Sequence, residues 1–360
     1  MLPDSRVFKV QSALIFHHPY RRRKKTCKAS KEVLQVAKLR SWIASSMVHV
    51  CVFAATRRGL AFINKLHSIL PHANFTFISF KEDEREPPFF KEIESFSADI
   101  GATFLCARNV ALEKYHSFWN SLESVDLMFC VSWRYLIPPE VYERARLGAF
   151  VFHDSMLPKY RGFAPTVWAI INGESYTGAT LMSISKGIDE GDIVDQEAVE
   201  IRQTDTIAHV LVKVTNSYLA ILERNIYSLL SGTFTSAPQD HSEATYTVKR
   251  TQDDYKIDWT KPARFCYNLI RGCTKPYPGA YTLLDGKKCI IWKADLRDSR
   301  VFEVYAPGRV VSKCEEGISV LCGDKCILHC SEIELHTESC ETLTLAEARH
   351  KLLLSSNFHS

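Results

Sequence analysis

The chain has 360 residues, 46% of them apolar and 11% aromatic, with 45 Lys+Arg against 41 Asp+Glu. That length suits two globular domains, and the composition excludes collagen, coiled coil and wholesale disorder. No run of 18 uninterrupted apolar residues occurs, which excludes a membrane-spanning helix on sequence.

The charge is uneven. Residues 1–46 carry 11 Lys/Arg and only Asp4 and Glu32, a net of +9, and the rest of the chain carries −5. The mildly acidic body argues against a large polyanion as main partner. The extension, with RRRKK at 21–25, reads as a nonessential basic arm; its acid-poor composition also fits organellar targeting. Cytoplasm is the expected compartment. Met47 stands directly before VHVCVF, where a compact domain would begin.

From there strands and helices alternate. VHVCVF (48–53) is a strand, and Leu60, Ile63, Leu66 and Leu70 mark a helix. FTFISF (75–80) follows, then a helix FFKEIESFSADIG closed by Gly101, then ATFLCA. VDLMFCVS (125–132) is a buried strand, PPEVYERARLG a helix between Pro and Gly148, and GAFVFH (148–153) another strand. TLMSIS (180–185) alternates like a strand. Residues 205–231 keep a helical period through Ile207, Val210, Leu211, Val214, Tyr218, Ile221 and Leu222, and Gly232 ends it. Apolar strands spaced by helices predict an α/β, Rossmann-like parallel sheet covered on both faces.

Polar residues from 236 to 256 read as a linker. From 257 to 335 short strands and turns predict a small β-rich C-terminal domain, with a hairpin turn at Asp285-Gly286. The capping box Thr344-Leu345-Ala346-Glu347 predicts a helix within a final segment, 336–360. The domain reading is therefore a 1–46 extension, a 47–235 catalytic domain, the linker, the β-rich domain and a C-terminal helix and tail. That β-rich domain serves either dimerisation or substrate binding.

The 12 cysteines sit mostly in apolar runs and read as free thiols. Cys322, Cys326 and Cys330 are spaced by four but lack a zinc-type His/Cys set, so no metal is expected. The loop after the first strand, AATRRGLAF, has one glycine. No dinucleotide or NTP phosphate fingerprint is present.

The densest unusual stretch runs from His153 to Gln196: HDSMLPKYRGFAPTVWAIINGESYTGATLMSISKGIDEGDIVDQ. His153 ends a strand and Asp189 lies in the loop KGIDEGD. Ligands gather at the carboxyl ends of parallel strands, which would bring both residues to one crevice. An imidazole beside a carboxylate is held in one tautomer and suits acid–base work. On spacing alone, His153 also reads as a structural residue and Asp189 as a turn cap.

The stretch resembles the formyltransferase signature, in which Asn-x-His-x-Ser-Leu-Leu-Pro-x-Tyr/Trp-Arg-Gly ends a strand and Gly-x-Asp-x-Gly-Asp follows. Here the residues are Val151-Phe152-His153-Asp154-Ser155-Met156-Leu157-Pro158-Lys159-Tyr160-Arg161-Gly162 and Gly187-Ile188-Asp189-Glu190-Gly191-Asp192. TVKRTQDDYKIDWTKPA and IRGCTKPYPGAY extend the resemblance into the second domain of methionyl-tRNA and sugar formyltransferases. It implies formyl transfer from 10-formyltetrahydrofolate to a primary amine, with His153 as acid–base group and Asp189 orienting it. It further implies that Tyr135, Leu136, Ile137, Ser185, Lys186, Gly187, Ile188 and Asp189 contact the folate, and that Lys159 and Arg161 contact substrate. The family Asn falls on Val151, which has no side-chain donor.

The segment 81–94, KEDEREPPFFKEIE, has a net charge of −3, which disfavours tRNA phosphates. The small-molecule acceptor expected is therefore a nucleotide-linked amino sugar, with methionyl-tRNA as the alternative. A noncatalytic folate-binding or scaffold protein that has lost the Asn is the third reading. A homodimer is compatible with the sequence.

Overall fold

The computed structural model describes residues 48–83, 86–122, 124–284, 287–296, 299–336, 342–344 and 358–359. The basic extension, the hairpin dipeptide Asp285-Gly286 and residues 345–347 of the expected capping box lie outside the described residues.

β1 (His49–Ala54) and β4 (Leu127–Val131) are buried along their whole length. Strands apolar on both faces belong inside a covered sheet. They are flanked by β2 (Asn74–Ser79), β3 (Thr103–Cys106) and β5 (Ala149–His153). Next along the chain come the short β6 (Arg161–Gly162), then β7 (Tyr176–Ser183) and β8 (Ile193–Glu200). The sheet order is β3-β2-β1-β4-β5-β7-β8. The helices are α1 (Thr56–Ile69), α2 (Phe90–Asp99), α3 (His116–Ser121), α4 (Pro139–Tyr142), α5 (Pro165–Ile171), α6 (Ile207–Ser231) and α7 (Ala263–Cys273).

The sheet is parallel from β3 to β5 and antiparallel at β5/β7 and β7/β8. The fully parallel expectation is corrected at this edge. α5 has seven residues, about 10 Å of helix, too short to carry the chain back to the amino end of β5. The chain re-enters the sheet from the carboxyl end, with Thr180 beside His153. The helix expected over PPEVYERARLG is a single turn, α4. Arg146 and Leu147 instead donate their N–H groups to Val125 and Asp126 carbonyls, at 2.9 and 2.8 Å, and this extends the chain into β5. α6 follows its predicted period, with Thr206 as N-cap and Gly232 in the left-handed region at φ 66°.

In the second domain β9 (Tyr246–Thr247) precedes β10 (Ala280–Leu284), β11 (Lys287–Asp295), β12 (Val310–Cys314), β13 (Gly317–Leu321), β14 (Ile327–His336), β15 (Thr342–Thr344) and β16 (Phe358–His359). β10 to β16 form an antiparallel sheet in the order β12-β13-β14-β11-β10-β16, with β15 on β14. The expected linker is not free chain. β9 pairs in parallel with β6, and Trp168 Nε1 donates to the Val248 carbonyl at 3.0 Å. Gly272 on α7 lets Ile170 and Ile171 of α5 approach closely: a Cβ there would stand 3.2 Å from Ile170. Among the described residues no helix is long and apolar enough to cross a membrane, and no His/Cys/Asp/Glu group could hold a metal ion.

Candidate active site

His153 is the last residue of β5 and is 7% exposed. Val151, two residues earlier, shares its face of the sheet and packs on a core cluster that includes Cys51, Phe53 and Cys130, beside Trp133, Ile137 and Ile184. The loop carrying Asp189 leaves β7 at the other end of β5, where Ile184 N–H donates to the Ala149 carbonyl. It folds back along β5. Asp189 Oδ2 thereby reaches 3.4 Å from His153 Nδ1 and accepts the Gly162 N–H at 2.8 Å. His153 Nε2 lies 2.8 Å from the Tyr160 carbonyl. A carbonyl only accepts, so that contact requires a proton on Nε2. The ring is thus bracketed by a carboxylate and a carbonyl.

Two glycines make this fold-back feasible. A Cβ at Gly191 would stand 1.8 Å from the Ser183 carbonyl oxygen, and one at Gly162 would stand 2.3 Å from that of Thr247. Six described non-glycine residues have positive φ. Five of them, Thr56, Ser132, Tyr160, Ala164 and Asp189, lie at the start of α1, in the loops beyond β4 and β5 or in the Asp189 loop. Residues held in this sparsely populated region cluster where function requires a fixed geometry.

Arg161 is corrected as a substrate contact. It is 1% exposed, and its Nε and Nη2 donate to Gln239 Oε1 at 3.1 and 2.7 Å. Gln239 Nε2 donates to the carbonyls of Asp189 and Gly191 at 2.9 and 2.8 Å. Arg161 therefore braces the Asp189 loop from inside the protein. Lys159 is exposed, and its carbonyl accepts the Ser155 hydroxyl at 2.6 Å.

The residues expected at the folate divide. Ile137 packs beside Val151, and Tyr135 is half-buried edge-on against Phe80 and Trp133. Leu136 is 83% exposed and Ile188 57% exposed. Lys186 is exposed, and Ser185 Oγ donates to the Gly187 carbonyl at 3.3 Å.

Sequence reasoning missed two features. Asp154 pairs with Arg58 from α1 and accepts the Tyr218 hydroxyl from α6. Burial works to raise its pKa, but Arg58, with the Arg58 and Tyr218 hydrogen bonds, outweighs burial and holds the carboxyl below its usual value. The only sequence signal was Arg57-Arg58 standing where a glycine-rich turn was sought. The second feature is a pair of buried polar atoms without a partner, Ser132 Oγ and Trp133 Nε1, just past β4.

A formyl transferase family model matches residues 103–226, and one for the formyl transferase C-terminal domain matches 249–347. A methionyl-tRNA formyltransferase of Alkaliphilus oremlandii is 36% identical over 217 residues, covering 60% of this chain and 69% of that protein. The chain belongs to the formyl transferase family. Similar solved structures include a sugar 3N-formyl transferase with dTDP and 5-N-formyl-THF, at 18% identity and TM-score 0.58, covering 79% of this chain and 98% of that one. An N-formyltransferase from Helicobacter canadensis, in complex with folinic acid and dTDP-3-aminofucose, is 20% identical with a TM-score of 0.61, covering 79% and 99%. These two likenesses are of fold.

Proposed function

We propose that this formyl transferase moves a formyl group from 10-formyltetrahydrofolate to the primary amine of a nucleotide-linked amino sugar, with His153 and Asp189 at the reacting centre. The observation that carries the reading is the approach of Asp189 Oδ2 to His153 Nδ1 across 36 residues of chain, within the family fold.

The residues present suit a folate. Ser132 Oγ and Trp133 Nε1 are buried without a partner just past β4, and Trp133, Ile137, Val151 and Ile184 pack on one apolar cluster, a combination of apolar side chains and few polar groups. When bound, the formyl-folate supplies an electrophilic carbon on a nitrogen that leaves with a proton. Asp189 orients the ring through Nδ1. The neutral ring, with its proton on Nδ1 toward Asp189 and Nε2 turned away from the Tyr160 carbonyl, takes the proton of the attacking amine on Nε2. The Nε2–H contact with Tyr160 then belongs to the charged ring, held between Asp189 and that carbonyl. His153 afterwards returns the proton to the leaving nitrogen. Ser132 Oγ, buried beside the end of β5, serves as hydrogen-bond donor for the charge that develops on the transferring oxygen, the role Val151 cannot fill.

The cleft described below, of about 1020 Å³, has the size of a small-molecule site and supports a sugar nucleotide. The acidic segment gives weaker support than its charge suggests, because Glu86 pairs with Arg134 and Asp83 with Arg108. The 36% identity to a methionyl-tRNA formyltransferase favours charged initiator tRNA as the second reading. Incubation with 10-formyltetrahydrofolate and either acceptor class, followed by mass measurement, decides. The proposal expects one added formyl group on a nucleotide-linked amino sugar; formylation of methionyl-tRNA alone overturns the choice of acceptor.

A further inference from the structure

A cleft of about 1020 Å³ opens between the two domains. Thr56 to Arg58 after β1, Glu86, Pro87 and Phe89 beyond β2 and Arg134 beyond β4 line it on one side. Arg250 to Gln252, Tyr255, Lys275 to Gly279, Tyr281 and Lys288 line it on the other. It thus lies over the carboxyl ends of the sheet, where the strand order reverses between β1 and β4. Arg58, in its wall, holds Asp154, the neighbour of His153.

The wall is strongly cationic: Arg57, Arg58, Arg134, Arg250, Lys275 and Lys288 face a single lining carboxylate, Glu86. Glu86 is taken by Arg134, and Arg58 has Asp154. Among the described residues, the other four have no carboxylate within ion-pair reach. Unbalanced cations in a confined cleft concentrate an anion there.

Two of these side chains are fixed in advance. Arg58 is 10% exposed, tied on Nη1 by Asp154 and Tyr218, and its Nε is buried without a partner. Arg250 stacks over Tyr255 at 3.8 Å, donates to Cys273 Sγ at 2.8 Å, and its Nε is likewise buried without a partner. The two arginines come from different domains and meet at one cleft. Tyr255, Tyr277 and Tyr281 add aromatic faces.

We infer that this cleft is the seat of the acceptor's diphosphate, gripped by Arg58 from one domain and Arg250 from the other. Four unpaired cations match several negative charges rather than one, guanidinium groups suit phosphate oxygens, and the tyrosines offer surfaces for a base or sugar. The assignment rests on the nucleotide-linked reading above, but its test uses neither folate nor amine, so the two fail separately.

The test is calorimetric titration of the full chain with inorganic pyrophosphate and with UDP. Wild type is expected to bind both, more weakly as salt rises. Arg250→Met breaks no ion pair and is expected to weaken both by about tenfold or more. Arg58→Met is expected to do the same where thermal melting shows it folded. Pyrophosphate binding within about twofold of wild type in folded Arg250→Met overturns the site. So does a short single-stranded oligouridylate that displaces pyrophosphate at lower concentration than UDP, which would mark a polynucleotide track instead.

Discussion

Arg161 closes its guanidinium onto Gln239 Oε1 at 3.1 and 2.7 Å, across 78 residues of chain. Gln239 in turn holds the carbonyls of Asp189 and Gly191. The strongest cation of the signature loop is thus a brace behind the Asp189 loop. Arg161→Leu leaves the Gln239 amide oxygen buried without its donor, at a cost of about 1–3 kcal/mol. Chemical denaturation is expected to show that loss, and kcat is expected to fall with it. Arg161→Lys is expected to restore little, because one ammonium cannot reproduce the fork. Unchanged stability in Arg161→Leu would refute the bracing role.

Lys159, two residues earlier, is exposed. Lys159→Ala is expected to change stability by no more than about 0.5 kcal/mol and to leave KM near wild type in steady-state assays.

Val151, on the same face of β5 as His153, has no side-chain hydrogen-bond donor. If Ser132 Oγ supplies the missing hydrogen bond, Ser132→Ala lowers kcat by about 10²-fold, the usual effect of one lost donor. Val151→Asn adds a donor on the His153 face and is expected to raise kcat, and to rescue Ser132→Ala in the double variant. Wild-type kcat in Ser132→Ala would remove Ser132 from the reaction.

Asp154 is held below the ordinary carboxyl range by Arg58 and Tyr218 against the effect of its burial. A depressed folded value means that its contribution to stability is present above the unfolded value of about 3.9 and is lost as pH falls through the folded value. Asp154→Asn is therefore expected to melt below wild type near pH 7. The gap closes as the pH falls below the unfolded value and through the lowered folded one. A gap that stays constant across the titration would show that packing, not the ion pair, sets the difference.

Much of this architecture is legible in the chain. The apolar runs of β1 and β4, the period of α6 and the glycine after it read correctly because local pattern decides them. The direction of β7 does not, since it depends on how far α5 carries the chain. His153 and Asp189 are marked as a pair by the signature, yet the fold-back that joins them depends on Gly162, Gly191 and Gln239. Arg161 reads as a substrate contact because its partner Gln239 lies in a segment with linker composition. The ion pair of Arg58 with Asp154 spans 96 residues, and no local pattern announces it.

The most direct measurement is formyl transfer from 10-formyltetrahydrofolate to nucleotide-linked amino sugars by wild type, His153→Asn and Asp189→Asn, with folate binding followed in parallel. Turnover in wild type, a fall of about 10²–10⁴-fold in each variant and retained folate binding are predicted. Variants that turn over at the wild-type rate, or a wild type that binds folate but formylates no amine, would contradict it.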